Sequence, residues 1–146
     1  MRIHVVKIAS QEQQAAAYEI RKEVFVDEQK VPIDEEIDQF EVVSFHFLAI
    51  TPDDKPCGAA RWRVTTEGVK LERFAVLKEF RSQGVGSALV KKVLEDIAED
   101  PGLKEKKHYL HAQIDAVPLY QKFGFRKEGD MFEECDIQHY KMVKAT

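Results

Sequence analysis

Cysteine is scarce in this chain of 146 residues, which contains only Cys57 and Cys135. Two cysteines cannot build the disulfide framework of a small secreted domain, and neither has neighbours at metal-ligand spacing. We therefore expect two reduced thiols, no metal site and a cytoplasmic protein. Long apolar runs are also missing: "MRIHVVKIAS" is too short for a signal peptide, and no later segment is expected to span a membrane.

An excess of basic residues is the next absence. The chain has 22 Lys and Arg against 26 Asp and Glu, a net charge of −4. Because nucleic-acid binders usually display a basic stripe, we expect no nucleic acid as a partner. Hydrophobic residues at 44% and charged residues at 33% are ordinary for a globular domain. The length predicts one domain, residues 1–146.

Segments of strand and helix periodicity follow one another in a mixed order. Helices are predicted from Ser10 to about Val26, from Gly84 to Glu99 and at "AVPLYQKF". A short helix is also expected in the acidic loop that contains Pro32. Strands are predicted at "IHVVKI", "VVSFHFLAI", "CGAARWRVT", "VKLERFAVL", "KHYLHAQI" and "IQHYKMVK", the third and fourth forming a hairpin across "TEG". This order predicts an α/β (α+β) sandwich around a largely antiparallel sheet.

The stretch "RSQGVG", residues 81–86, joins a predicted strand to a predicted helix. Main-chain N–H groups at a helix start lack partners within the helix, and Gly84 and Gly86 let a ligand approach them closely. The helix dipole and Arg81 add positive charge. The stretch therefore predicts an anion site, for which phosphate is the common biological ligand.

Two common glycine-rich phosphate loops do not match this stretch. A P-loop requires Lys followed by Ser or Thr after its second glycine, whereas Gly86 is followed by Ser87 and Ala88. A dinucleotide fingerprint requires a small residue where Leu89 stands and begins directly after the strand. Nucleotide binding remains a hypothesis, and it predicts thermal protection by ATP or NAD.

A third loop type fits, because "RSQGVG" resembles the Arg/Gln-x-x-Gly-x-Gly/Ala pattern of the GNAT superfamily of N-acetyltransferases. The stretch "AVPLYQKFGF" is similar to the second signature of that superfamily, and "IRKEVFVDEQKVPIDEEID" resembles its YjcF- and ElaA-like subgroup. The resemblance implies a GNAT fold: a mixed, mostly antiparallel sheet of six to seven strands, about four helices, and a splay between the fourth and fifth strands that holds acetyl-CoA.

The resemblance also implies a set of residues that contact acetyl-CoA. The strand residues matching the pantetheine contact are Phe74, Ala75 and Val76, and the main chain near Val76 would polarise the thioester carbonyl. The residues matching the pyrophosphate loop are Arg81, Ser82, Gln83, Gly84, Val85, Gly86 and Ser87. Gln113 stands where many relatives carry asparagine. Tyr120 matches the tyrosine that protonates the departing thiolate, although core packing in "LYQKFGF" is the structural alternative.

Acetyl transfer to an amine also needs a proton acceptor. His139 is the first candidate, because related glyphosate acetyltransferases carry a catalytic histidine in a similar last strand; its alternative is a hydrogen-bonded strand histidine. Glu72 is the second candidate, with a cross-strand salt bridge to an arginine as its alternative. We discount His108 and His111 as a metal site, because residues three apart in a strand face opposite sides.

Three residues are candidates for contacting the acceptor substrate. Arg21 and Arg73 match positions that grip an anionic substrate in the glyphosate-acetylating relatives, while a solvated helix face is the alternative for Arg21. Strand alternation predicts that either Glu72 or Arg73 points away from the cofactor. His46 could line the pocket, with a satisfied core histidine as its alternative.

The expected partner is a small primary amine of unspecified charge. The acidic stretch from Asp27 to Glu41 suggests a cationic acceptor or simply solvated surface, whereas the arginines suggest an anionic or zwitterionic one. Two functional classes remain: an N-acetyltransferase, and an acetyl-CoA-binding sensor without turnover. The resemblance also suggests a homodimer formed through the C-terminal strands.

Overall fold

A computed structural model describes residues 2–145 and contains one twisted sheet with helices on both faces. The strands run in the order β1-β2-β3-β4-β5-β8-β6, with β7 also paired to β8, and every pair except β4–β5 is antiparallel. Their bounds are β1 His4–Lys7, β2 Phe45–Ile50, β3 Pro56–Val64, β4 Val69–Val76, β5 His108–Gln113, β6 Phe125–Lys127, β7 Phe132–Glu134 and β8 Ile137–Lys144. The predicted hairpin across "TEG" is confirmed as β3–β4.

The helices are α1 Gln11–Arg21, a π-helix Lys22–Glu28, α2 Ile33–Glu36, α3 Val85–Ala98 and α4 Val117–Gln121. Ser10 caps α1 by accepting a hydrogen bond of 3.1 Å from the Gln13 N–H, as its spacing predicts. The first helix was expected to reach about Val26 as one element. Its α-helical part instead ends at Arg21, and the chain continues as a π-helix. Such π segments are rare and often lie at functional sites.

The hydrophobic core lies on both faces of the sheet. One face packs against the apolar stripe of α3, formed by Val85, Leu89, Val90, Val93 and Ile97. The other face packs against α1 through Ala17 and Ile20. Within residues 2–145, no helix has the length and apolar character needed to cross a bilayer.

The sheet opens between β4 and β5, which confirms the predicted splay. The two strands pair only at three positions, Val69–Leu71 against His108–Leu110, although β4 runs on to Val76 and β5 to Gln113. Beyond Leu71 the parallel strands separate. A ligand can therefore reach main-chain groups that would be paired in a closed sheet.

The sheet has eight strands instead of the six to seven expected, because a short hairpin joins β7 to β8. Its two-residue turn is Cys135–Asp136, with positive φ angles of 52° and 61°. Type I′ hairpin turns need positive φ at both central residues and usually contain Asn-Gly or Asp-Gly. "CD" lacks that signal, so the sequence did not predict β7.

A bulge distorts β4 beside the splay. Arg61 pairs with Glu72 and Ala59 with Ala75, so Arg73 and Phe74 together lie opposite a single residue of β3. Arg73 has a φ of 60°, which is uncommon for a non-glycine residue. The bulge interrupts the alternation of side chains and re-aims those that follow Glu72.

Candidate active site

A cavity of about 170 Å³ opens where β4 and β5 separate. Its walls come from these strands, the segment after the π-helix, α2, α4 and the β7–β8 hairpin. It brings together six residues singled out from the sequence: Glu72, Arg73, Phe74, Gln113, Tyr120 and His139. Arg21, His46 and the loop 81–87 do not line it.

Glu72 and Arg73 both line this cavity, so the prediction that one must point away is wrong. The physical reason is the bulge, because the extra residue and the positive φ of Arg73 bring two successive side chains to the same side. Strict alternation holds only in an unbulged strand.

His139 lies in β8 opposite Gln113, with 6% of its surface exposed. Its Nδ1 is 2.7 Å from the carbonyl oxygen of Ile137. A carbonyl oxygen can only accept, so Nδ1 carries the proton and the neutral ring keeps a lone pair on Nε2. Nε2 makes no hydrogen bond within residues 2–145, yet it is not a buried unpaired atom, so it opens into the cavity. This is the geometry of an available proton acceptor.

Tyr120 lies in α4 and packs its ring edge-on against Phe74 and Phe125, with centroids 5.7 and 6.2 Å away. Burial raises the pKa of the phenol above its ordinary value, so the hydroxyl keeps its proton at neutral pH. Among residues 2–145 the hydroxyl has no hydrogen-bond partner and is not a buried unpaired group, so it is also open. The ring of Tyr120 is therefore packed in the core, as the structural alternative predicted, while its hydroxyl is available as a donor.

Glu72 is paired with three cations, two on the neighbouring strand β3 and one on β4 itself. Its carboxylate lies 2.7 Å from Arg61, 2.6 Å from Arg63 and 3.4 Å from Lys70. Burial alone would raise its pKa, but these cations outweigh burial and hold the pKa of Glu72 at about 2. The cross-strand salt bridge is thus present, and such a weakly basic carboxylate is a poor proton acceptor at neutral pH.

Arg21 is 1% exposed, and its guanidinium is occupied by carboxylates of the acidic stretch. It donates to Glu36 at 2.8 Å and to Glu41 at 2.7 Å. Burial would lower the pKa of Arg21, yet these two carboxylates raise it, so the charge persists. This corrects both sequence readings of Arg21: the side chain is neither at the cavity to grip a substrate nor on a solvated helix face.

Arg73 lines the cavity, but its guanidinium also forms ion pairs with carboxylates of the acidic stretch. Its guanidinium contacts the Glu36 and Asp38 carboxylates at 3.1 Å each. Asp38 additionally pairs with Arg61 at 2.8 Å.

The acidic stretch was interpreted as solvated surface or as a cation-binding feature. Three of its carboxylates instead neutralise arginines, and we call this set of pairs the Arg–Glu network. Its members are Arg21, Glu36, Asp38, Glu41, Arg61, Arg63, Lys70, Glu72 and Arg73.

His46 lies outside the cavity, and its geometry is that of the core-histidine alternative. It is 9% exposed, and its Nε2 lies 2.8 Å from the Glu41 carbonyl oxygen. Burial lowers the pKa of His46, which favours a neutral ring at pH 7. A direct contact with the acceptor is therefore not supported.

Gln113 lines the cavity and exchanges hydrogen bonds of 2.8 and 3.3 Å with Gln29. Gln29 follows directly after the π-helix, so this amide pair ties that segment to the end of β5. The sequence did not single out Gln29, because its partner is distant in the chain.

The loop 81–87 leads into α3 with the open geometry expected of an anion site. Gly84 caps α3 with a φ of 87°, and a Cβ added there would meet no atom within 4 Å. No side chain caps the helix, so the first-turn amides have no acceptor within it. Two cations lie beside the loop. Arg81 pairs with Glu28 at 2.9 Å, and Lys122 donates to Ser87 Oγ at 3.0 Å.

One main-chain N–H of β4 also faces the splay. The Leu77 N–H donates to the Cys57 carbonyl oxygen on β3. Since N–H directions alternate along a strand, the Val76 N–H points away from β3, on the side where β5 has separated. Phe74, Ala75 and Val76 therefore lie where β4 borders the splay, and their contact with the pantetheine arm stays a prediction.

Sequence reasoning also missed Glu134 and His111 as contributors to the site. Glu134 lies in the unpredicted strand β7, and its Oε2 is 3.2 Å from His111 Nδ1. His111 was considered only as a metal ligand, and no group of three or more potential ligand side chains within residues 2–145 could hold a metal ion. The alternation of "HYLHAQ" puts His111 on the same strand face as Gln113, and this was the one sequence signal that could have placed His111 in the site.

Comparisons with a family model, with curated relatives and with solved structures all indicate the same protein family. Residues 6–146 match the family described as Acetyltransferase (GNAT) domain. The uncharacterized N-acetyltransferase YjcF of Bacillus subtilis is 43% identical over 92% of this chain and 94% of its own, and the putative acetyltransferase BSU40680 of that species is 38% identical over 97% and 96%. The crystal structure of Escherichia coli ElaA superposes with a TM-score of 0.85 at 28% identity, covering 99% of this chain and 100% of that one. With the splay and the glycine loop already described, these likenesses identify the chain as a YjcF/ElaA-like member of the GNAT family of acetyltransferases, and thus as an acyltransferase.

Proposed function

We propose that this protein is an N-acetyltransferase that moves the acetyl group of acetyl-CoA to a primary amine of a small molecule. The observation that carries the proposal is one cavity into which both His139 Nε2 and the Tyr120 hydroxyl open, at the place where β4 and β5 separate. A proton acceptor and a proton donor in one cavity are what an amine and a thioester need.

The loop 81–87 is suited to the pyrophosphate of the cosubstrate. Free amides at the start of a fourteen-residue helix favour an anion, and the open space at Gly84 admits one close to the main chain. Lys122 and Arg81 add positive charge. In this proposal an incoming phosphate competes with Glu28 for the Arg81 guanidinium.

The acceptor amine must lose a proton. An aliphatic amine with a pKa of about 10.4 is almost fully protonated at pH 7, and freeing its lone pair costs about 4.6 kcal/mol. His139 takes that proton on Nε2, because the Ile137 carbonyl oxygen holds Nδ1–H in place. Glu72 is the weaker candidate, since three cations hold its pKa at about 2.

The remaining groups act on the acyl carbon and the leaving sulfur. The C–N bond forms as the C–S bond breaks, and the Val76 N–H hydrogen bonds to the carbonyl oxygen as its charge develops. Tyr120 gives its proton to the departing thiolate, and the second proton of the attacking nitrogen passes to the Tyr120 oxygen, which restores the phenol. Burial raises the pKa of Tyr120, so the hydroxyl holds a proton to give at neutral pH. Gln113, oriented by Gln29, flanks the same space.

Thiol release from acetyl-CoA against a panel of primary amines tests the proposal. Turnover with at least one amine, lost in His139→Ala and reduced in Tyr120→Phe, supports it. A rise in melting temperature with acetyl-CoA but no release with any amine would instead favour an acetyl-CoA sensor. Protection by ATP or NAD in the absence of any effect of CoA would overturn both.

A further inference from the structure

The charges around the cavity suggest which amines it admits. Its two cations, Lys70 and Arg73, have carboxylate partners in the Arg–Glu network: Lys70 pairs with Glu72 at 3.4 Å, and Arg73 with Glu36 and Asp38 at 3.1 Å. Neither is a free cation available to a substrate carboxylate. The network contains five cations and four carboxylates, so its own net charge is small.

Two further carboxylates line the cavity without such partners, and we call them the carboxylate pair Glu35 and Glu134. Glu134 accepts from His111, which lowers the pKa of Glu134 and keeps it ionised at neutral pH. Glu35 accepts from Cys135 Sγ at 2.9 Å and raises the pKa of that thiol to about 11. Within residues 2–145, neither carboxylate forms an ion pair with a lysine or arginine.

The carboxylate pair comes from two separate elements that meet at the cavity. Glu35 belongs to α2, and Glu134 to β7 at the turn that contains Cys135. Cys135 lies between them, because its thiol donates to Glu35 and its neighbour in the chain is Glu134. With this pair included, the cavity is lined by four carboxylates, Glu35, Glu36, Glu72 and Glu134, and by two cations, Lys70 and Arg73, which leaves two net negative charges.

An independent feature of the same cavity points to a ligand. His139 is more than nine-tenths buried, and its Nε2 has no partner and opens into the cavity. His139 stacks on Phe132. Phe132 and Glu134 are two residues apart on β7, so their side chains lie on the same face of that strand. The open imidazole and the carboxylate pair therefore face the same cavity.

We propose that Glu35 and Glu134 are specificity-determining residues that select acceptors with a second cationic group, such as aliphatic diamines, over acceptors that carry a carboxylate. The inference rests on the proposed N-acetyltransferase function. One nitrogen loses its proton to His139, while the other stays an ammonium ion and binds the carboxylate pair. The arginines that suggested an anionic acceptor are neutralised inside the protein.

The test compares diaminobutane, butylamine and aminobutanoate, which share one chain length but differ in the charge at the far end. In the parent protein kcat/KM falls in that order, and the differences shrink as salt is added. Glu134→Gln lowers kcat/KM for diaminobutane by about fivefold, mainly through KM, and leaves butylamine nearly unchanged. Glu35→Gln has a similar effect, and Glu134→Lys shifts preference towards aminobutanoate.

Glu133→Gln is the matched control, because Glu133 adjoins Glu134 on β7 but its side chain pairs with Gln138 outside the cavity. It should leave the order of the three amines unchanged. A parent protein with no preference for diaminobutane, or an equal loss for all three amines in Glu134→Gln, would overturn the assignment. If no amine releases thiol, calorimetric binding of diaminobutane in the presence of CoA decides: binding weakened by Glu134→Gln supports the specificity role although the enzyme proposal fails, and no binding overturns it.

Discussion

Arg61 and Glu72 lie opposite each other in the β3–β4 ladder, and their charged ends meet at 2.7 Å with almost no exposure. This pair joins the floor of the cavity to the acidic segment above it, because Arg61 also reaches Asp38 at 2.8 Å and Glu41 at 2.9 Å. The arginines that looked like substrate ligands in the sequence thus form ion pairs within the protein, and the proposed mechanism assigns the proton transfers to His139 and Tyr120.

The first prediction concerns the stability of the Arg–Glu network. Glu36→Gln leaves the buried Arg21 charge without its more deeply buried partner, so we expect the free energy of unfolding to fall by about 3 kcal/mol. For a domain of this size that corresponds to about 6–12 °C in Tm. Thermal and denaturant unfolding measure the change. Glu95→Gln on the exposed face of α3 is the control and should shift Tm little.

The second prediction concerns acid. The folded pKa of Glu72 is about 2 against an ordinary value of 4.5, so its ionisation stabilises the fold above pH 4.5. That contribution is lost as the pH falls from about 4.5 towards 2, because the unfolded chain binds the proton more readily. Unfolding curves across this range should show a shallower pH dependence in Glu72→Gln. Identical slopes in parent and variant would contradict the assignment.

The third prediction concerns the glycine loop. Gly84→Ala should raise KM for acetyl-CoA by about tenfold, because its methyl group occupies the space above the helix amides and strains a positive φ. Gly129→Ala is a matched control: Gly129 has a φ of 80° and equally open space, but lies outside the loop. The two variants should lose similar stability, and only Gly84→Ala should lose affinity for CoA in calorimetry.

The fourth prediction concerns the proton acceptor. His139→Ala should reduce kcat by about a hundredfold or more, with little change in CoA binding. Added imidazole should restore part of the rate, since the deleted ring leaves space beside Phe132. Full kcat in the variant at every pH tested would exclude His139 as the proton acceptor and would favour a water molecule in that role.

The fifth prediction concerns Tyr120. Tyr120→Phe removes only a hydroxyl without a protein partner, so Tm should hardly change while kcat falls by about tenfold or more. Tyr140→Phe is the control: Tyr140 follows His139 in β8 and does not line the cavity, so its substitution should leave kcat unchanged. A large fall in Tm with unaltered kcat would mean that Tyr120 serves packing alone.

Local signals predicted much of the fold and the cofactor loop. The capping spacing at Ser10, the apolar stripe of α3 and the glycines at 84 and 86 all act within a few residues, so the sequence displays them directly. His139 and Tyr120 came from family resemblance, and the structure adds that both open into one cavity.

The remaining features depend on contacts between distant parts of the chain. Arg21 was misread because its partners Glu36 and Glu41 lie 15 and 20 residues away, and only folding shows that they meet. The bulge at Arg73 and the Cys135–Asp136 turn use residues that rarely adopt positive φ. Neither leaves a pattern in composition or periodicity.

The Arg–Glu network also bears on how such an enzyme could diversify. Glu72 and Arg73, which line the cavity from β4, are held by partners on β3 and in the acidic stretch, so a substitution at either position first costs stability. Glu134 in the β7–β8 hairpin is less constrained, because it is half exposed and, within residues 2–145, pairs only with His111. New acceptors would therefore be gained by mutation of the hairpin, with the β4 wall inherited intact.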